Sequence, residues 1–260
     1  MKWSYSALDT YLTCPLQYYF SYIAKSPEEQ VSAALPFGSA LHAAHEKVYK
    51  DLKEKGTYDP EQAVVAFAAE WGMLAENPLI SYKEDESTDS LLEKGVEMLR
   101  AFFASMKPEK VLAVDQEFSI PVSEGKALLS GFMDLLVESE TGVTVVEFKT
   151  AARKWSQGDA DSTLQATTYA LAAQNLFPGR EVSIRFDIIT KAKQPAFQQL
   201  HTKRGNWDEI RLINLITATQ DAVEKSVFFP IQGYRCAGCG FASRCQMWTY
   251  EPVEAEAARV

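Results

Sequence analysis

Cys14 stands alone near the start of this chain, while Cys236, Cys239 and Cys245 form a C-x2-C-x5-C run near its end. Thiols grouped in this way rarely act independently. If the four meet in a four-thiolate metal or iron–sulfur site, they tie the two ends of the fold together. A reducing compartment disfavours disulfides and makes clustered thiols metal ligands. The competing description, free cysteines acting as small buried hydrophobes, fits three thiols within ten residues poorly.

At 260 residues, 47% hydrophobic and 23% charged, the chain is long enough to bury a sizeable core in one large domain. It carries no apolar run of membrane-spanning length and no secretory pattern at its start, so a cytoplasmic location is expected. The net charge of −9 argues against non-specific coating of nucleic acid. It remains compatible with a nuclease, because metal-binding carboxylates are themselves acidic and a local basic groove can coexist with a negative total.

Ser6 and Asp9 form an S-x-x-D start signal, followed by Leu8, Leu12, Tyr19 and Ile23 at near-helical spacing. The Cys14-Pro15 step predicts a break in a helix over residues 4 to 24. Further helices are predicted from Pro36–Ser39 to Leu52, over 61 to 76 and over 89 to 106. The pattern then changes to β-branched and aromatic runs at 111 to 122, 127 to 137 and 143 to 149, a β-meander turning at Glu140-Thr141-Gly142. A helix over 161 to 176, strands over 182 to 189 and 196 to 202, and a helix over 207 to 225 complete the order. This order predicts an α/β fold with a mixed central sheet flanked by helices. The tail after residue 253 reads as a frayed end.

Asp134 closes the segment Gly131-Phe132-Met133-Asp134, and Glu147-Phe148-Lys149 ends the next strand. Alternation along a strand puts Glu147 and Lys149 on one face and Phe148 on the other, in the core. A hairpin between the two strands brings Asp134 beside Glu147. Converging carboxylates repel unless a cation lies between them, and oxygen ligands suit Mg2+ or Mn2+. With Lys149 supplying positive charge, the set suits phosphodiester hydrolysis. The bland alternative is an exposed cross-face ion pair worth ~1 kcal/mol or less.

The succession G-x-x-D, E-F-K and Gln165-x-x-x-Tyr169 resembles the PD-(D/E)XK nuclease superfamily in its RecB-like branch. Phe37-Gly38-Ser39-Ala40-Leu41-His42 is similar to that branch's G-x-x-x-H helix. The one-plus-three cysteine layout resembles its iron–sulfur members, the CRISPR adaptation nucleases and AddB-type nuclease domains. The resemblance runs from about residue 5 to 248 and implies a restriction-endonuclease-like fold and a Mg2+- or Mn2+-dependent deoxyribonuclease, an exonuclease on single-stranded DNA or DNA ends. It implies that His42, Asp134, Glu147 and the backbone carbonyl of Phe148 bind the metal, that Lys149 is the catalytic lysine, and that Gln165 and Tyr169, one helical turn apart, position Lys149 or the DNA backbone. His45 is expected to be a supporting or surface residue, and the role of Glu117 is left open by the unknown register.

For Cys14, Cys236, Cys239 and Cys245 the alternatives are Zn2+, common in all-cysteine tetrahedral sites, and a 4Fe-4S cube, which takes one cysteine per iron. The resemblance favours the cube. Tyr18, Tyr19, Tyr234, Arg235, Phe241, Arg244 and Trp248 either stack on single-stranded DNA or pack around the cluster. Arg153, Lys154, Lys191, Lys193, Lys203 and Arg204 are candidates for the DNA path. The expected organisation is a single nuclease domain over 1–260, with 1–25 and 226–250 forming the cysteine region and 30–225 the core. No Walker-type loop is present, so a helicase, recombination or CRISPR protein would be a partner. The alternative functions are a catalytically silent DNA-binding module and a zinc-stapled interaction protein.

Overall fold

The structure, a computed structural model, describes residues 1–107 and 109–249. The expected frayed tail lies outside the described residues. A six-stranded mixed sheet organises the fold, with strands β1 (Lys2–Trp3), β4 (Val111–Val122), β5 (Ala127–Glu138), β6 (Gly142–Ala151), β7 (Glu181–Thr190) and β8 (Phe197–Thr202). A separate two-stranded piece pairs β2 (Val31–Ser32) with β3 (Ile80–Ser81). β4, β5 and β6 form the antiparallel meander expected from their β-branched sequences. β7 adds in parallel to β6 and β8 returns antiparallel.

Helices cover both faces, as a mixed sheet with two apolar sides requires. On one face α3 (Ala34–Lys55), α4 (Pro60–Ala75) and α5 (Thr88–Ser105) bury Phe37, Phe67, Trp71 and Phe102 with Phe148. On the other, α1 (Tyr5–Thr13), α7 (Leu164–Leu176) and α8 (Asn206–Glu224) bury Leu8, Tyr169, Phe186 and Ile216. α3 ends at Gly56, whose φ of 72° places it in the left-handed region that glycine enters without steric cost. Among the described residues no helix is long and apolar enough to cross a membrane.

The first predicted helix is interrupted at the expected step. Cys14 is extended, Pro15 opens α2 (Pro15–Tyr18), and a π-helical turn continues over Tyr19–Ile23. Pro15 has no N–H to give to α1, and its ring disfavours a helical residue before it. The helix expected over 161 to 176 is two: α6 (Gln157–Ser162) and α7, divided at Thr163, whose side chain caps α7 by accepting from Gln165 N. The cysteine run lies on a short 3-10 turn (Tyr234–Gly238) and on α9 (Ala242–Gln246).

Candidate active site

The β5–β6 ladder ends at the pair Leu135–Val146. β1 occupies the same edge of β5 further along, at Leu128 and Leu129, so Ser130 to Asp134 lie in a fork between two partners. The next position of the β5–β6 register sets Asp134 opposite Glu147. There the backbone N–H of Phe148, freed from the ladder, donates to Asp134 Oδ2 at 3.0 Å. A side chain thus replaces the strand as acceptor, as buried backbone donors require.

α3 lays His42 across this fork. Its Nδ1 lies 3.4 Å from Asp134 Oδ2, and Phe148 lies beside it, with ring centroids 6.3 Å apart. Burial pushes the His42 pKa below its ordinary value, with Lys149 adding to the effect, so its neutral, ligand-competent form dominates near neutrality. Glu147 is buried. Its Oε1 accepts from Lys149 Nζ at 2.7 Å and from Gln165 Nε2 at 2.7 Å, while its Oε2 has no partner. The Gln165 amide also donates to Tyr169 Oη at 2.9 Å.

Two carboxyl groups share this pocket in different electrostatic states. Burial and then the charge of Glu147 drive the Asp134 pKa well above the ordinary carboxylate range. Burial acts the same way on Glu147, but Lys149 outweighs it and holds that carboxyl below its ordinary value. Like charges in a desolvated site separate in this manner unless a cation neutralises both. The donor set of one imidazole, two carboxylates and one carbonyl is hard and oxygen-rich, as Mg2+ and Mn2+ prefer. The unpaired Glu147 Oε2 is an acceptor that such an ion would satisfy. Among the described residues, no three His, Cys, Asp or Glu side chains already converge on one ion position, at the fork or among the cysteines.

The other predicted residues fall into two groups. His45 is not a surface residue: it is buried, with its ring 4.3 Å from that of Phe148 and 4.6 Å from Phe102, and neither ring nitrogen has a partner. Three residues beyond His42, it is rotated by about 60° around the α3 axis, which carries it into the core. Glu117 is exposed opposite Phe132 and is not among the residues around the cavity beside His42 and Asp134. Asp115, which belongs to none of the sequence motifs, lies on β4 between the partners of Leu135 and Met133. It joins His42, Glu46 and Asp134 around a cavity of about 60 Å3. Its φ of 52° is left-handed, a strained position of the kind that gathers at functional sites. Helical spacing could have found Glu46, which follows His42 at i+4 on α3. Finding Asp115 required the strand register.

Of the basic residues, Arg153 and Lys154 are exposed just beyond β6 and Lys193 is exposed after β7. Lys191 is paired with Glu86 and lies over the Phe37 ring. Lys203 pairs with Glu181, and Arg204 holds Thr167, Thr202 and the carbonyls of Ala160 and Thr163. Lys191 and Arg204 serve the fold, while Lys203 is exposed.

Cys14, Cys236, Cys239 and Cys245 are free thiols that line one cavity of about 890 Å3. The backbone N–H groups of Ile231 and Gly233 point at the sulfurs of Cys14 and Cys236, at 3.5 and 3.4 Å. Among the neighbours, Tyr18 and Phe241 are buried and pack on Trp3 and Phe20, which assigns them to packing. Tyr19 packs on Phe228. Tyr234 is 87% exposed with Arg235 over its ring.

The fork therefore gathers two acidic residues, a lysine two residues along the strand and a glutamine–tyrosine pair behind them. The profile of the PD-(D/E)XK nuclease superfamily matches residues 2–246, and the chain belongs to that superfamily. It is 28% identical over 218 residues to an ATP-dependent helicase/deoxyribonuclease subunit from Carboxydothermus hydrogenoformans, a match covering 70% of this chain and 20% of that protein. The chain therefore spans about one fifth of that relative. A crystal structure of a candidate exonuclease from Eubacterium rectale superposes with a TM-score of 0.57 at 14% identity, covering 98% of this chain and 92% of that one, a likeness of fold.

Proposed function

We propose that this chain is a Mg2+- or Mn2+-dependent DNA nuclease, an exonuclease acting on single-stranded DNA or DNA ends, organised as a single nuclease domain with its cysteine region closing the two termini. The observation that carries this reading is the unpartnered, buried Oε2 of Glu147 beside the crowded Asp134 carboxyl. His42, Asp134, Glu147 and the Phe148 carbonyl would hold the ion. When bound, it would supply a Lewis acid and lower the pKa of attacking water.

The chain's own residues do the rest. Lys149, ion-paired to Glu147, places a fixed positive charge where a phosphate oxygen gains negative charge in the transition state. Gln165 fixes the rotamer of Glu147 through Oε1, leaving Oε2 for the ion. Tyr169 fixes Gln165 in turn. Such supporting contacts orient ligands before the ion arrives.

The four thiols are read as the ligands of a 4Fe-4S cluster. The four thiols line one cavity, and the one-plus-three layout of the cysteines supports a cube, which takes one thiolate per iron. Amide donors aimed at two sulfurs suit thiolates. The cluster would staple residue 14 to residue 236. The name of the Carboxydothermus relative supports a helicase as the partner that delivers the strand.

The test is digestion of end-labelled single- and double-stranded DNA with Mn2+ by wild type and Lys149→Ala. Degradation by wild type alone, with products shortening from one end, is expected. Equal degradation by both proteins, or none by cluster-replete wild type, would sink the assignment.

A further inference from the structure

A groove of about 660 Å3 opens beside the proposed site, with the N-terminal half of α3 as one wall and Phe148, Lys149 and Thr150 at the end of β6 as another. Leu35 lies on the α3 wall and is 69% exposed. Single exposed leucines are ordinary on convex surfaces, but this one faces a concavity that also contains His42 and Lys149. Leu35, Gly38 and His42 follow one another at i, i+3 and i+7, on one face of the helix, with Leu35 about 10 Å along the axis from His42.

Gly38 has a further property. Its φ is not positive, and a Cβ added there would meet nothing within 4 Å. Neither backbone conformation nor packing requires glycine, although glycine inside a helix costs about 1 kcal/mol relative to alanine. A side chain would project into the groove. Beside Leu35, the missing side chain leaves a flat apolar notch.

Charge determines which part of a nucleotide suits this notch. Lys149 and Thr150 offer a cation and a hydroxyl on the β6 side, while Glu46 and Glu70 reach the groove from α3 and α4. Glu46 is ion-paired with Lys50, but Glu70 repels a sugar-phosphate backbone, so a strand crossing the groove keeps its phosphates toward Lys149 and its bases toward α3. The geometry points to the Leu35–Gly38 notch as a binding site for one unpaired nucleobase of single-stranded DNA, next to the scissile phosphate. The inference rests on the nuclease reading above and deepens it: a base inside a duplex has both faces covered by stacking neighbours and cannot lie on Leu35, whereas an unpaired base can.

The test is an abasic scan. Fluorescent single-stranded oligonucleotides, intact or with one abasic site at successive positions, are titrated without added divalent cation, so that binding is read apart from cleavage. In wild type one position of the scan weakens binding about fivefold, as loss of one base contact does. Leu35→Ala weakens binding of the intact strand by a similar factor and flattens the scan. Gly38→Leu does the same with a Tm equal to or above wild type, which separates filling the notch from unfolding. A flat scan in wild type, or wild-type affinity and scan in both variants, overturns the notch. The expected binding pattern without cleavage in Mn2+ upholds the notch and fails the nuclease reading.

Discussion

Lys149 Nζ and Glu147 Oε1 lie 2.7 Å apart in a pocket where Glu147 is almost wholly shielded from water. The lysine is the countercharge that keeps Glu147 ionised before any cation binds. Lys149→Met retains the apolar stem and removes the charge. In metal-free protein it is expected to lower stability by about 3 kcal/mol, as breaking a buried pair does, and Mn2+ should raise its Tm more than that of wild type. Nuclease activity should fall ~10^2-fold or more. Thermal melts with and without Mn2+ and a digestion assay check both effects.

Asp134 presents the opposite case. Its buried carboxyl lies next to Glu147 and has no lysine directly on it, so in metal-free protein its charge is a burden. Asp134→Asn removes that repulsion and keeps an oxygen for the Phe148 N–H. The variant should melt at or above the wild-type temperature while Mn2+ binding, followed by calorimetry, is lost. A marked fall in metal-free Tm would contradict this account.

Gln165 and Tyr169 act through Glu147. Gln165→Leu is expected to reduce activity or metal affinity ~10- to 100-fold. Tyr169→Phe should lose less, because the Gln165 amide still bonds Glu147 without the phenol. Steady-state rates at several Mn2+ concentrations distinguish the two.

His45 has both nitrogens buried without partners among aromatic rings, and burial pushes its pKa down to about 3. The folded protein therefore keeps it neutral, while the unfolded chain takes up a proton below about 6.5. Besides the constant cost of its unpaired nitrogens, the cost of refusing that proton is absent above that pH and grows as pH falls toward 3. His45→Phe should gain about 1 kcal/mol at neutral pH, and its advantage in Tm over wild type should widen from pH 6.5 to 4.5. A constant difference across that range would refute the neutral buried state.

Arg235 in the cysteine run bonds Thr13 and pairs with Asp9 of the N-terminal helix, and in the proposed cluster Cys14 would add the covalent link between the two segments. Cys14→Ser should give protein with little iron and little of the brown colour of anaerobically purified wild type, and a Tm lower by several degrees, since the link closes a very long loop. Stoichiometric zinc in colourless wild type would overturn the iron–sulfur reading.

The order of the longer helices and strands, the break at Cys14-Pro15 and the motif string from His42 through Glu147 to Tyr169 were legible in the residues alone, because strand alternation and helical spacing are local rules, whereas the two-residue strands β1, β2 and β3 were not. They placed Glu147 and Lys149 on one face and Gln165 and Tyr169 one turn apart, as the structure has them. Other features lie beyond the reach of such rules. Only the end of the β5–β6 ladder puts Asp134 under the Phe148 amide, only the β4 register selects Asp115 over Glu117, and only the packing of α3 sends His45 into the core while His42 meets Asp134. Each depends on contacts between segments distant in the chain, where a shift of one residue in register or a fraction of a helical turn exchanges a buried neighbour for an exposed one.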